Sequence, residues 1–208
     1  MSEALLKNRD YTLILAKSPL ENMPRSILPP DRWQAASDAM VALAAKCSEF
    51  DPDGITVYLM SDSVQKFEQV KASQIATIFQ DFQATEPPKT SHLAAVLQVA
   101  LDNYFERKAA GQTKENGEIM IVVTDKEPAE RQAVVKAIVQ ATKKIDRNEE
   151  LGIGLAQIGE HSMTEGFFKA LDEDLDRAGA RFDIVDTKIL DTIHIDCLTQ
   201  FLLDMIYD

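Results

Sequence analysis

The sequence predicts an α/β fold: an open, doubly wound, mostly parallel sheet with one antiparallel edge strand and helices on both faces. Three observations predict it. Two runs, Tyr11–Leu15 and Ile119–Thr124, are almost continuously apolar, as strands covered on both faces are. Around them, short β-rich runs alternate with stretches whose apolar residues recur at helical spacing. No repeat or compositional break marks a second domain, so residues 10–208 read as one domain behind a short polar lead-in, residues 1–9.

Taken in order, Tyr11–Lys17 is the first strand and Pro19 blocks its continuation. Pro24, Pro29 and Pro30 make Leu20–Pro30 a loop, and Asp31 is placed to cap a helix beginning near Arg32. That helix aligns Trp33, Ala36, Met40, Leu43, Ala44 and Cys47, and the turn Asp51-Pro52-Asp53-Gly54 ends it. Ile55–Met60 is the second strand. Gln65–Phe67 follows too closely for a crossover, so it is expected antiparallel, as a hairpin edge. Helices are predicted over Ser73–Phe82 and Ser91–Lys108. A polar, lysine-containing and mobile linker is predicted over Gly111–Gly117. After the strand Ile119–Thr124, Pro128 suits the first turn of a helix running to about Ile145. Leu151–Ile158 is the fifth strand, and Gly152 and Gly154 in it predict the close approach of another element. A helix over Thr164–Ala178, a sixth strand at Phe182–Val185 and a last helix over Leu190–Tyr207 complete the chain.

Composition narrows the function classes. Hydrophobic residues make up 45% of the chain, enough for a sizeable core. No run approaches the roughly 18 apolar residues of a membrane span. The start, MSEALLKNRD, has no apolar h-region, so a secretory signal is not expected. Cys47 and Cys197 are the only cysteines, too few for a zinc cluster or a disulfide scaffold, and both read as buried small hydrophobes in a reducing, cytoplasmic setting. The net charge of −12 argues against nucleic acid and anionic membrane as partners, since both select a basic face. The last helix carries acids and no lysine or arginine from Asp191 onward; it reads as a layer on the sheet, or as a partner surface with an acidic rim.

In doubly wound sheets, ligands bind outside the carboxyl ends of the strands, where strand order reverses. Residues just after the first and fourth strands are therefore the candidates: Lys17, Ser18, Asp125 and Lys126, with Thr90 in the loop leading to the third long helix. The chain contains neither G-x-x-x-x-G-K-[ST] nor G-x-G-x-x-G, and Ser18 lacks a G-x-S-x-G setting. His92, His161 and His194 are too far apart in sequence for a short-spaced zinc site.

The segments YTLILAKSP, RWQAASDAMVALA, GITVYLMSD, PPKTSHLAAVL, EIMIVVTDKEP, LGIGLAQIGEHSM and ARFDIVDTKIL, in that order and spacing, resemble a von Willebrand factor type A domain of the small, free-standing bacterial kind. The resemblance covers about residues 10–208 and implies a Rossmann-like sheet. It also implies a metal-ion-dependent adhesion site built from D-x-S-x-S, a threonine and an aspartate, which holds magnesium and takes a carboxylate from a partner protein. Carried onto this chain, the first aspartate falls on Ala16 and the second serine on Leu20. Ser18, Thr90 and Asp125 keep the family's residue types. One carboxylate and two hydroxyls are a thin donor set for an ion that demands near-octahedral oxygen ligands, so weak Mg2+ or Mn2+ binding, or none, is expected. No other cofactor is expected. Lys17, Lys89 and Lys126 each neighbour a kept motif residue, and His92 follows Thr90 closely. Turned inward, these cations take a carboxylate or a phosphate directly; turned outward, they are ordinary loop residues. The leading expectation is a protein–protein interaction module acting at this edge, and not an enzyme. The alternatives are a metal-assisted hydrolase or phosphatase using Asp125, disfavoured by the single carboxylate, and a structural subunit of a cytoplasmic assembly.

Overall fold

The computed structural model describes residues 3–16, 30–60, 63–85, 92–124, 127–158, 164–190 and 193–207. Six strands form one sheet: β1 (Asp10–Ala16), β2 (Ile55–Met60), β3 (Val64–Val70), β4 (Glu118–Thr124), β5 (Leu151–Gln157) and β6 (Val185–Ile189). The helices are α1 (Pro30–Phe50), α2 (Ala72–Ala84), α3 (Leu93–Ala109), α4 (Arg131–Thr142), α5 (Thr164–Glu173) and α6 (Leu198–Tyr207). Strand order is β3-β2-β1-β4-β5-β6, and only the β2–β3 pair is antiparallel. The doubly wound sheet with a hairpin edge is the architecture the sequence predicts.

The period-two side-chain pattern of the strands divides the core into two layers. Tyr11, Leu13 and Leu15 of β1 share one face with Val57, Leu59, Ile119, Ile121 and Val123, and α1, α2 and α6 cover that face. Ile14 and Ala16 point the other way with Tyr58, Met60, Met120 and Val122, beneath α3, α4 and α5. This double coverage is why β1 and β4 are apolar at nearly every position. β3 lies at the sheet's end, mostly exposed, and is longer than the predicted Gln65–Phe67. Its pairing with β2 is interrupted by a register shift near Gln69, whose φ is 56°.

Several boundaries differ from expectation for identifiable reasons. α1 begins at Pro30, because proline suits the first helical position, and Asp31 falls inside the first turn instead of capping it. α4 begins at Arg131, so Pro128 precedes the helix. The predicted helix over Thr164–Ala178 divides into α5 and a short 3-10 turn, Leu175–Ala178. The sixth strand is not Phe182–Val185. Pairing in register with β5 starts at Val185, opposite Ile153, while the Phe182 ring lies 4.8 Å from the Arg181 guanidinium. The last helix starts only at Leu198, after a 3-10 turn over Ile195–Cys197. Cys197 is therefore exposed, off the apolar stripe, whereas Cys47 is buried as expected. The stripe of α6 itself is core: Leu198, Phe201, Leu202, Met205 and Ile206 are each at most 2% exposed. It is a layer on the sheet and not an open partner surface. The segment before β1, read as a polar lead-in, sends Leu6 into the core.

The glycines of β5 do what their place in a strand implies. A Cβ on Gly152 would lie 2.6 Å from the Met205 carbonyl oxygen, and one on Gly154 would lie 2.2 Å from the Met205 methyl. α6 thus rests directly on β5. Gly152→Ala is expected to destabilise the fold by about 1–3 kcal/mol, since it meets backbone. Gly154→Ala should cost less, since it meets the end of a flexible methionine. Urea unfolding of the two variants tests the order, and equal midpoints would contradict the close packing.

Candidate functional site

The carboxyl ends of the parallel strands lie side by side. Ala16 is in register with Met60 on one side and Thr124 on the other; Thr124 pairs with Gln157, and Gln157 with Ile189. The chain passes from β1 to its neighbour β2 on one side and returns as β4 on the other, so strand order reverses between β1 and β4. In doubly wound sheets, such a reversal is the place where ligands dock.

The floor of the edge is nearly closed. Ala16 is 9% exposed, Met60 5%, Thr124 4% and Gln157 5%. The Ile158 amide donates to the Thr124 carbonyl at 2.9 Å, extending the β4–β5 pairing one residue past the strands. Of the predicted site residues, His92 falls within the described residues. It occupies the N-cap position of α3, half-buried, and its carbonyl accepts the Val96 amide at 3.1 Å. Ser18, Thr90 and Asp125, and the cations Lys17, Lys89 and Lys126, lie outside the described residues. Past β4, Arg131 on the first turn of α4 pairs with Glu127. Among the described residues, no group of His, Cys, Asp or Glu is arranged to hold a metal ion.

The opposite, amino edge carries a charge network that sequence reasoning missed. Glu118 opens β4 at 2% exposure, and its carboxylate pairs with Arg107 of α3 and accepts the Thr12 hydroxyl at 2.6 Å. Arg107 also reaches Asp10 at 2.7 Å. Lys114 draws in Asp51 at 2.5 Å, Asp53 at 3.3 Å and Asp10 at 3.4 Å. The turn around Lys114, expected to be a mobile linker, is therefore anchored to β1 and to the end of α1. Arg9, fully buried, donates to the carbonyls of Leu5, Glu118 and Glu149. Burial raises the Glu118 and Asp51 carboxyls above the usual range against the pull of their cations, and lowers the Arg9 guanidinium to about 10. An open cavity of about 440 Å³ beside this network is lined by Asp10, Asp51, Asp53, Thr56, Glu68 and Arg107. Its buried charges pair with one another, which is the arrangement of a structural clamp. The only local signals in the sequence were an acid at the first position of two buried strands and a lysine in a glycine-bounded turn.

Comparison with known proteins adds to the fold. No family model and no curated protein matches the sequence. Among solved structures, the manganese-loaded Plasmodium vivax TRAP protein is similar with a TM-score of 0.56 at 12% identity, covering 94% of this chain and 74% of that one. Proximal thread matrix protein 1 from the mussel byssus is similar with a TM-score of 0.52 at 15% identity, covering 96% of this chain and 48% of that one. The fold is von Willebrand A-like. At such identities the likeness concerns backbone architecture, and the chain spans about half of the mussel protein's length. Within the von Willebrand A-like sheet, Ala16 stands at the last position of the central strand, where the resemblance places the first aspartate of the metal site. No helix among the described residues is long and apolar enough to cross a membrane.

Proposed function

We propose that this chain is a protein-recognition module whose partner docks at the carboxyl edge of the sheet, over the β1–β4 reversal, with divalent-metal binding weakened or lost. The observation that carries this reading is Ala16. It ends β1 and packs into the α3–α4–α5 layer, and it brings no carboxylate to the position the resemblance assigns to the first ligand. The remaining donor types, from Ser18, Thr90 and Asp125, supply one negative charge and do not fit a tightly held magnesium ion, which dehydrates reluctantly. On this reading Lys17, Lys89, Lys126 and His92 supply the positive charge that selects an acidic side chain on the partner. Cytoplasmic residence belongs to the same proposal.

The test is a calorimetric titration of metal-stripped protein with Mg2+ and Mn2+. The native chain is expected to bind no tighter than about 1 mM, because one carboxylate leaves most of the ion's charge uncompensated. Ala16→Asp is expected to gain at least tenfold in affinity, and Ala16→Asp with Asp125→Ala to lose that gain. Micromolar binding by the native chain, abolished by Asp125→Ala, would restore the metal-bridged mechanism and overturn this one.

A further inference from the structure

β6 closes the sheet on the side away from β3, between α5 on one face and α6 on the other, and it carries an unusual buried charge. Asp186 is 5% exposed, and among the described residues its Oδ2 has no hydrogen-bond partner. Its register partner on β5 is Gly154, so both point to the face where Met205 and Phe201 of α6 pack. An ionised carboxylate there faces apolar side chains on one side and one cation on the other. That cation is Lys188, 3.3 Å from Asp186 Oδ1 and shared with Asp204 of α6 at 3.6 Å. From α5, Asp172 adds a third carboxylate, held by the Thr187 amide at 3.2 Å and the Thr187 hydroxyl at 2.7 Å. Two acids, Asp186 and Asp204, thus share one ammonium group, with Asp172 a third negative charge across the strand; among the described residues, Asp186 keeps one buried oxygen without a hydrogen-bond partner.

We infer that Asp186 is a proton-operated latch for the β6 edge: neutral, it lets α6 close on the strand; ionised, it loosens that contact. A neutral carboxyl removes the cost of a buried charge that Lys188 only half satisfies, and its repulsion by Asp172 and Asp204, and leaves Lys188 to Asp204. The acidity fits this geometry. Burial first, then the neighbouring acids against the pull of Lys188, raise Asp186 from the ordinary 3.8 to about 6. The sign follows from which state holds the proton. Between pH 3.8 and 6 the folded chain keeps a proton that the unfolded chain releases, so this contribution is full below that window and is lost as pH rises through 6.

The full chain tests this by two measurements. The first follows the Asp186 carboxyl carbon by NMR through a pH titration, with a midpoint near 6 expected; a midpoint near 4 overturns the latch. The second compares native protein with Asp186→Asn at pH 7 and pH 5, by urea unfolding and by exchange of the Thr187 and Ile153 amides. From pH 7 to pH 5 the native chain should gain about tenfold in folding constant and in protection of these amides relative to the variant. Identical pH slopes in the two proteins would overturn the proposal. Lys188→Met, which removes the cation, should move the Asp186 midpoint higher; an unchanged midpoint would also overturn it.

Discussion

Arg107→Met is expected to lower stability by about 3–5 kcal/mol, the range for breaking a buried ion pair from one side. The size comes from what is left behind. Glu118 is 2% exposed, and without the guanidinium its remaining partner is the Thr12 hydroxyl. Asp10, at 21% side-chain exposure, keeps Lys114 and water and contributes little to the loss. Two controls separate this account from lost packing. Adding Glu118→Leu to Arg107→Met should recover much of the stability, because an apolar pair needs no counter-charge. The defect of the single variant should also shrink from pH 7 to pH 5, since burial already raises the Glu118 carboxyl and a protonated Glu118 needs no cation. Urea unfolding of the three proteins at both pH values decides it. A double variant no better than Arg107→Met would show that the pair is not the source of the loss.

Gly117→Ala is expected to cost about 3 kcal/mol or more, combining a left-handed backbone with a collision. Gly117 has a φ of 78°, and a Cβ there would lie 1.8 Å from the Glu150 carbonyl oxygen. Its carbonyl accepts the Asp10 amide at 2.9 Å, so any displacement disturbs the start of β1. Gly111 provides the comparison: its φ of 67° carries the same backbone penalty, but nothing lies within 4 Å of the added carbon. Gly111→Ala should therefore lose only about 1–2 kcal/mol. Equal unfolding midpoints for the two variants would contradict the steric argument.

The sequence was most legible where one physical effect dominated. β1 and β4 are buried on both faces, and their unbroken apolar runs say so. Gly152 and Gly154 announced the approach of α6 because little else explains glycine inside a buried strand. Legibility failed where partners are distant in the chain. Nothing near Lys114 shows that Asp10, Asp51 and Asp53 converge on it, so composition alone made an anchored turn look like a linker. β6 was misplaced because its charged Asp186 and Lys188 suit a solvent-facing segment better than a strand under a helix. Cys197 was assigned to an apolar stripe that begins one residue later. At the candidate site the sequence supplied residue types and order. The register of Ala16 with Thr124 supplied their common edge, and the proposed ligands themselves lie beyond the described residues.

The pairing of β1 with β4 bears on how the chain is made. β2 and β3 are neighbours in sequence and form a local hairpin, but Asp10 must wait for Glu118 before the centre of the sheet can close. During synthesis from the amino end, β1, β2, β3 and the first three helices emerge with one side of β1 still unpaired. Loop closure over so long a separation slows the step, and an open apolar strand edge is a template for association with other chains. Until β4 arrives, the β1 edge is where a nascent chain is most exposed to aggregation and where a holding chaperone has most to grip.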